Sequence, residues 1–93
     1  MRTIEYAKEF KRDYKRAING IHGKHLDQKL NIVLNILVTE SDIPITYRDH
    51  PLKGQWAGYS ELHLWPDMLL IYCYSNNNIL RLARLGSHSE LFG

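Results

Sequence analysis

Cysteine is almost missing from this sequence: Cys73 stands alone among 93 residues. No intramolecular disulfide can staple the chain, and a reducing, cytoplasmic setting is expected. Long apolar runs are missing too. The longest, Met68 to Tyr74, falls far short of the ~20 residues that a membrane-spanning helix needs. Met1 to Lys15 carries charge every few residues, so neither a signal peptide nor a membrane anchor is expected. Neither sign of charge dominates, because 12 Lys and Arg against 10 Asp and Glu leave only +2. That balance neither demands nor forbids an anionic partner. No repeat, low-complexity tract or linker divides the chain, and one domain over residues 1–93 is the expectation.

What is present has order. From Arg2 to Lys29 eight basic side chains face four acidic ones, whereas from Glu40 to Asp67 five acidic face two basic, which allows a basic face on the N-terminal half. Met1 to Tyr6 reads as a short edge strand, since Thr3, Ile4 and Tyr6 favour extended backbone. Phe10, Tyr14, Ala17 and Ile18 then recur at helical spacing over Ala7 to Ile18, backed by Lys8, Lys11, Arg12, Lys15 and Arg16. Asn19, Gly20 and Gly23 break this helix. A second helix runs from about Leu26 to Val38 on the stripe Leu26, Leu30, Val33, Leu34 and Leu37, and the short turn between the two suggests a helix hairpin.

Beyond Pro44 the periodicity changes to two. Strands are expected at Tyr47 to His50, Tyr59 to Trp65, Met68 to Tyr74 and Ile79 to Leu85, with Asn76, Asn77 and Asn78 in a tight turn and a single helical turn in the tail from Ser87. The fold class is therefore α+β: an N-terminal strand, a two-helix hairpin, then an antiparallel β-meander with helices on one sheet face and the other face free.

Five histidines is a high density for this length. His63 shares a strand face with Glu61 and Tyr59, opposite Leu62 and Leu64, and Asp67 at the following turn is placed to approach it. Taken singly, each histidine reads as a solvated surface residue. His50, His63 and His88 together would supply a general base and a general acid near neutrality. Arg81 and Arg84 fall on opposite strand faces by parity, with Arg84 on the side of Leu80 and Leu82 near His88. Its planar fork suits a phosphate, and the plain alternative is a salt bridge to Glu61 or Asp67. His22 and His25 flank the helix break and make a weak metal signal, since no cysteine pair or His-Glu-x-x-His helix accompanies them. Cys73 reads as a buried core thiol, and Trp56 and Trp65 as packing residues.

The segments Asp49 to Tyr72, DHPLKGQWAGYSELHLWPDMLLIY, and Arg81 to Gly93, RLARLGSHSELFG, resemble the YafQ branch of the RelE-type toxins of bacterial toxin-antitoxin pairs. The resemblance covers nearly the whole chain. It implies a microbial-ribonuclease-like fold and an endonuclease that cuts messenger RNA in the ribosomal decoding site. Carried over by position, it puts catalytic histidines at His50, His63 and His88, an acidic residue at Asp67, a phosphate-facing arginine at Arg84 and a substrate-contacting aromatic at Phe92. Lys53 and the helix residues Lys11, Arg12 and Lys15 are the candidate RNA contacts. Met68 departs from the tryptophan common in that branch. The implied reaction is attack of a ribose 2′-hydroxyl on the neighbouring phosphate, without metal or cofactor: His50 with His63 and Asp67 forms the base side, any one of the three being the base, and His88 is the acid. The implied partners are a cognate antitoxin of the ribbon-helix-helix type and the ribosome with its A-site message. A non-catalytic RNA- or antitoxin-binding module of the same fold is the alternative.

Overall fold

The computed structural model describes residues 2–75 and 78–93. In chain order they form β1 (Thr3–Tyr6), α1 (Lys8–Ile18), α2 (Gly23–Val38), a 3-10 turn (Ile45–Tyr47), β2 (His50–Pro51), a second 3-10 turn (Gly54–Trp56), β3 (Ser60–Trp65), β4 (Met68–Ser75), β5 (Ile79–Gly86) and α3 (His88–Phe92). Asn76 and Asn77 of the expected turn, and Met1 of the expected first strand, lie outside the described residues. Asn78 adopts the left-handed backbone, φ 59°, that asparagine tolerates.

The five strands form one sheet in the order β1-β5-β4-β3-β2. The meander is antiparallel, but β1 joins it in parallel beside β5, Thr3 opposite Ile79 and Tyr6 opposite Leu82, which the helix hairpin permits by carrying the chain back. β2 is shorter and later than the period-two pattern suggests. Residues 45–47 coil into a 3-10 turn, left-handed Arg48 (φ 53°) ends it, and only His50 and Pro51 pair with β3. Proline is tolerated there because β2 is an edge. α2 begins at Gly23, ahead of its apolar stripe. A Cβ on Gly23 would lie 2.0 Å from the Ile18 carbonyl oxygen, so the sharp turn between α1 and α2 requires glycine.

Phe10, Ala17, Leu26, Leu30, Val33 and Leu37 of the helices close over Leu62, Leu70, Leu80, Leu82 and Leu85 of the sheet. Each fully buried leucine contributes roughly 1.5 to 3 kcal/mol. The opposite sheet face is not free, contrary to expectation. Leu69, Ile71, Ala83 and Leu91 form a second, small core there, capped by Leu52, Trp56 and Tyr59 from the loop before β3. Cys73 is half-buried rather than buried, and desolvation pushes its thiol above the ordinary value.

An irregularity in β5 changes the reading of its arginines. Tyr72 is opposite Leu82, yet the next residue of β4, Ile71, is opposite Arg84, so Ala83 is the extra residue of a β-bulge. Residues directly opposite in an antiparallel pair share a face. Arg81, opposite Cys73, and Arg84, opposite Ile71, therefore share a register side. Strand parity fails at the bulge: Arg84 is in register with Ile71, and its guanidinium reaches past the open edge of β5 to Asp13 of α1.

Candidate active site

The sheet register lines up a row of residues across four strands: His50 on β2, Glu61 on β3, Ile71 on β4 and Arg84 on β5. The adjacent row runs from His63 through Leu69 to Gly86, two residues before His88. Both rows belong to the face that carries the second core, with Leu69 and Ile71 as an apolar floor between an imidazole side and a guanidinium side.

On the imidazole side, Glu61 Oε2 lies 3.3 Å from His50 Nε2 and 3.5 Å from His63 Nε2, and the rings of His50 and His63 are 6.5 Å apart. Glu61 is only 6% exposed, while half of the His50 side chain is open to solvent. His50 Nδ1 is 2.8 Å from the Arg48 carbonyl oxygen. A carbonyl can only accept, so Nδ1 carries a proton, and Nε2, which faces the Glu61 carboxylate, is the nitrogen whose proton can come and go. Left-handed Arg48 turns that carbonyl toward the ring. His63 Nδ1 is buried and has no hydrogen-bond partner among the described residues. Beneath them the Tyr72 hydroxyl donates to Asp49, and burial followed by that bond holds the phenol protonated far above its ordinary value.

On the other side, Arg84 grips Asp13 of α1, Nε to Oδ2 at 2.6 Å and Nη2 to Oδ1 at 3.2 Å, and not Glu61 or Asp67. Asp13 is fully buried and also accepts from Arg16 Nη2 at 3.2 Å and from the Leu85 backbone N–H at 3.0 Å. That backbone group lies past the last β1 partner, so Asp13 satisfies a strand edge that would otherwise be buried unpaired. The bonds to Asp13 hold the Arg84 guanidinium above its ordinary value. Arg16 Nε continues the network to Glu90 of α3 at 3.1 Å. Glu90 closes a capping box with Ser87, and this hydrogen bond with the Ser87 N–H is the main reason its carboxyl is lowered. α3 is thereby fastened beside Arg84, with exposed His88 at its start and the ring of Phe92 5.0 Å from that of His88.

One expected placement differs. Asp67 does not meet His63; its Oδ1 lies 2.7 Å from His22 Nε2 in the turn between α1 and α2. Lys11, Arg12 and Lys15 are exposed on α1, whose apolar side covers the sheet face opposite to the one bearing Glu61 and His63. Lys11 and Lys15 line a groove of about 570 Å³ with Tyr6, Phe10, Tyr14 and Leu34. Met68 is buried in the helix-side core, while Lys53 is exposed in the loop after β2.

A family model for the bacterial toxin of type II toxin-antitoxin systems, YafQ, matches residues 2–93. The chain belongs to the YafQ family. Among curated relatives, the mRNA interferase toxin YafQ of Escherichia coli K12 is 38% identical over 99% of this chain and 97% of its own. Among solved structures, the E. coli DinJ-YafQ complex superposes with a TM-score of 0.82 at 38% identity, covering all of both chains. A metal-bound toxin from Helicobacter pylori gives 0.85 at 42% identity, over 99% of this chain and 100% of its own. Here, no group of three His, Cys, Asp or Glu side chains is placed to hold a metal among the described residues. Nor is any described helix of this YafQ-family chain long and apolar enough to cross a membrane.

Periodicity and motif did not single out Glu61 or Asp13 as parts of a site, and gave His22 only a weak metal reading beside His25. Asp13 did carry a signal, since it lies three residues after Phe10 and four before Ala17, on the apolar side of an amphipathic helix. A carboxylate there needs partners.

Proposed function

We propose that this YafQ-family toxin is an mRNA endoribonuclease of the cytoplasm that cuts message in the A site of translating ribosomes and is held in check by a cognate ribbon-helix-helix antitoxin. The observation that carries the reading is the pairing of His50, Glu61 and His63 on one side of an apolar floor with Arg84 and His88 on the other. Strands β3 and β5 lie two spacings apart, roughly 10 Å.

The scissile phosphate lies between the two sides, at the rim of the small core that buries Ile71. His50 Nε2 takes the proton of the ribose 2′-hydroxyl while Glu61, shared with His63, steadies the imidazolium that forms. The 2′-oxygen bonds to phosphorus, the bond to the 5′-oxygen breaks, and His88 gives its proton to that leaving oxygen. A 2′,3′-cyclic phosphate and a free 5′-hydroxyl result. Arg84, held by Asp13, balances the charge on the equatorial oxygens. Phe92 stacks beside His88 on a base, and Asp67 at the rim contacts the substrate or serves as the alternative base. Lys53 reaches the RNA backbone from the loop, and Lys11, Arg12 and Lys15 face ribosomal RNA from the helix side.

The modest net charge gives limited grip on free RNA, so the ribosome supplies the alignment. Mapping of 5′ ends tests this: new ends should arise in translated message, and few in the same RNA free in solution. Equal cutting of both would refute it. The antitoxin is tested by co-purification; arrest-free expression with no partner recovered would count against it.

A further inference from the structure

Asp67 and His22 are 45 positions apart and meet in a hydrogen bond of 2.7 Å, Nε2 to Oδ1. Asp67 stands in the turn between β3 and β4 with its side chain 53% exposed, where an unrestrained carboxylate would sample several rotamers. His22 is restrained from several directions. The turn that carries it is closed by the approach of Gly23 to the Ile18 backbone. Its ring lies flat on the indole of Trp65, centroids 4.1 Å apart and planes 5° from parallel. Trp65 is the last residue of β3, the strand that bears Glu61 and His63. Its side chain packs against the helix-side core. The imidazole plane is thus set by the core, and its Nε2 points at Asp67.

His22 and Asp67 also line a cavity of about 400 Å³ together with Arg16 and the chain from Gly86 to Ser87, immediately before His88. The carboxylate and the start of α3 therefore open on the same space.

We propose that His22 is a positioning residue: it donates from Nε2 to Oδ1 of Asp67 and so presents Oδ2 to the bound RNA. This rests on the reading of Asp67 as a substrate-contacting residue. The imidazole does not touch the reacting atoms. It removes the rotational freedom that Asp67 would otherwise lose between the bound ground state and the transition state, so the benefit belongs to the rate of the bound complex, not to its formation.

The test compares two substitutions that divide the functions of the ring. His22→Phe keeps a flat ring on Trp65 and deletes the donor; His22→Gln keeps an N–H donor and deletes the stack. In single-turnover cutting of ribosome-bound message, His22→Phe should lower the maximal rate about tenfold. Half-saturation and capture by the antitoxin should be unchanged, and His22→Gln should recover most of the rate. In an Asp67→Ala background, His22→Phe should cost nothing further, because the group it positions is gone. In the wild-type protein, long-range 1H-15N spectra should show Nε2 of His22 protonated at neutral pH. A fully active His22→Phe beside a crippled Asp67→Ala, an unprotonated Nε2, or equal losses from His22→Phe with and without Asp67 would each overturn the proposal. Full activity of Asp67→Ala would instead remove the reading of Asp67 on which it rests.

Discussion

Replacing Asp13 by Asn tests how the guanidinium side of the site is held. Asp13 is fully buried and its two oxygens accept from Arg84 twice, Arg16 once and the Leu85 N–H once. Asparagine has nearly the same shape, but it carries no charge and turns an amide NH2 toward a guanidinium donor. Removing one partner of a buried ion pair costs about 3 to 5 kcal/mol. The Arg84 side chain is 20% exposed, so water recovers part of its solvation and the lower end applies. In a domain of this size ~3 kcal/mol lowers Tm by roughly 12 to 24 °C. The control is Arg16→Met, which removes a guanidinium that is already 46% exposed and should cost under ~1 kcal/mol. Thermal unfolding followed by circular dichroism reads both. A loss of only a few degrees for Asp13→Asn, or an equal loss for Arg16→Met, would refute the claim that a buried carboxylate anchors Arg84.

Other expectations follow from the same geometry. Glu61→Gln should fold normally and cut ribosome-bound message on the order of 100-fold more slowly, the lower range of general acid-base effects; near wild-type cutting would take Glu61 out of the site. Arg84→Ala should lose a similar factor, ~3 kcal/mol of charge stabilisation. Arg81→Ala should be nearly silent although the two share a register side, because Arg81 lies nearer the start of β5, away from the site, and is bonded to Glu5; equal damage would show that the wrong arginine has been chosen. His88→Ala should slow cutting, with much of the rate restored by a substrate whose leaving oxygen is replaced by sulfur; no rescue would remove His88 as the acid. Glu90 has a folded-state value below its ordinary 4.5, so its contribution to holding α3 is complete above that value and is lost as pH falls through the lowered one. Glu90→Gln should therefore flatten the acid limb of a stability-against-pH curve, and an unchanged acid limb would contradict the assignment.

Much of the architecture is written in short-range pattern. The apolar stripes of α1 and α2 and the alternation of β3 put Leu62 and Leu64 toward the helices and Glu61 and His63 away from them, as found. What pattern cannot carry is a change of register. The bulge at Ala83 inserts one residue into β5 and brings Arg84 into register with Ile71, and no residue type there announces it. The pairing of β1 with β5 is equally silent, because it joins opposite ends of the chain. Similarly, the second core became visible only once Leu52, Trp56 and Tyr59 were folded over Ile71. In the site, His50, His63 and His88 read as one convergent set, of which His50 and His63 meet at Glu61, and Glu61 itself read only as a strand-face carboxylate. Asp67 read toward His63 because they are close in sequence, while its partner His22 comes from a turn far back in the chain.

The central claim, that imidazoles and a guanidinium drive attack by the ribose 2′-hydroxyl, is tested most directly by one substitution in the substrate. Message is loaded on ribosomes with either ribose or 2′-deoxyribose at the scissile nucleotide, and the protein is added in excess of ribosomes with a chelator present. The account predicts that the ribose substrate is cut to a 2′,3′-cyclic phosphate and a 5′-hydroxyl, and that the deoxy substrate stays whole. Cutting of the deoxy substrate, or loss of all cutting to the chelator, would contradict it.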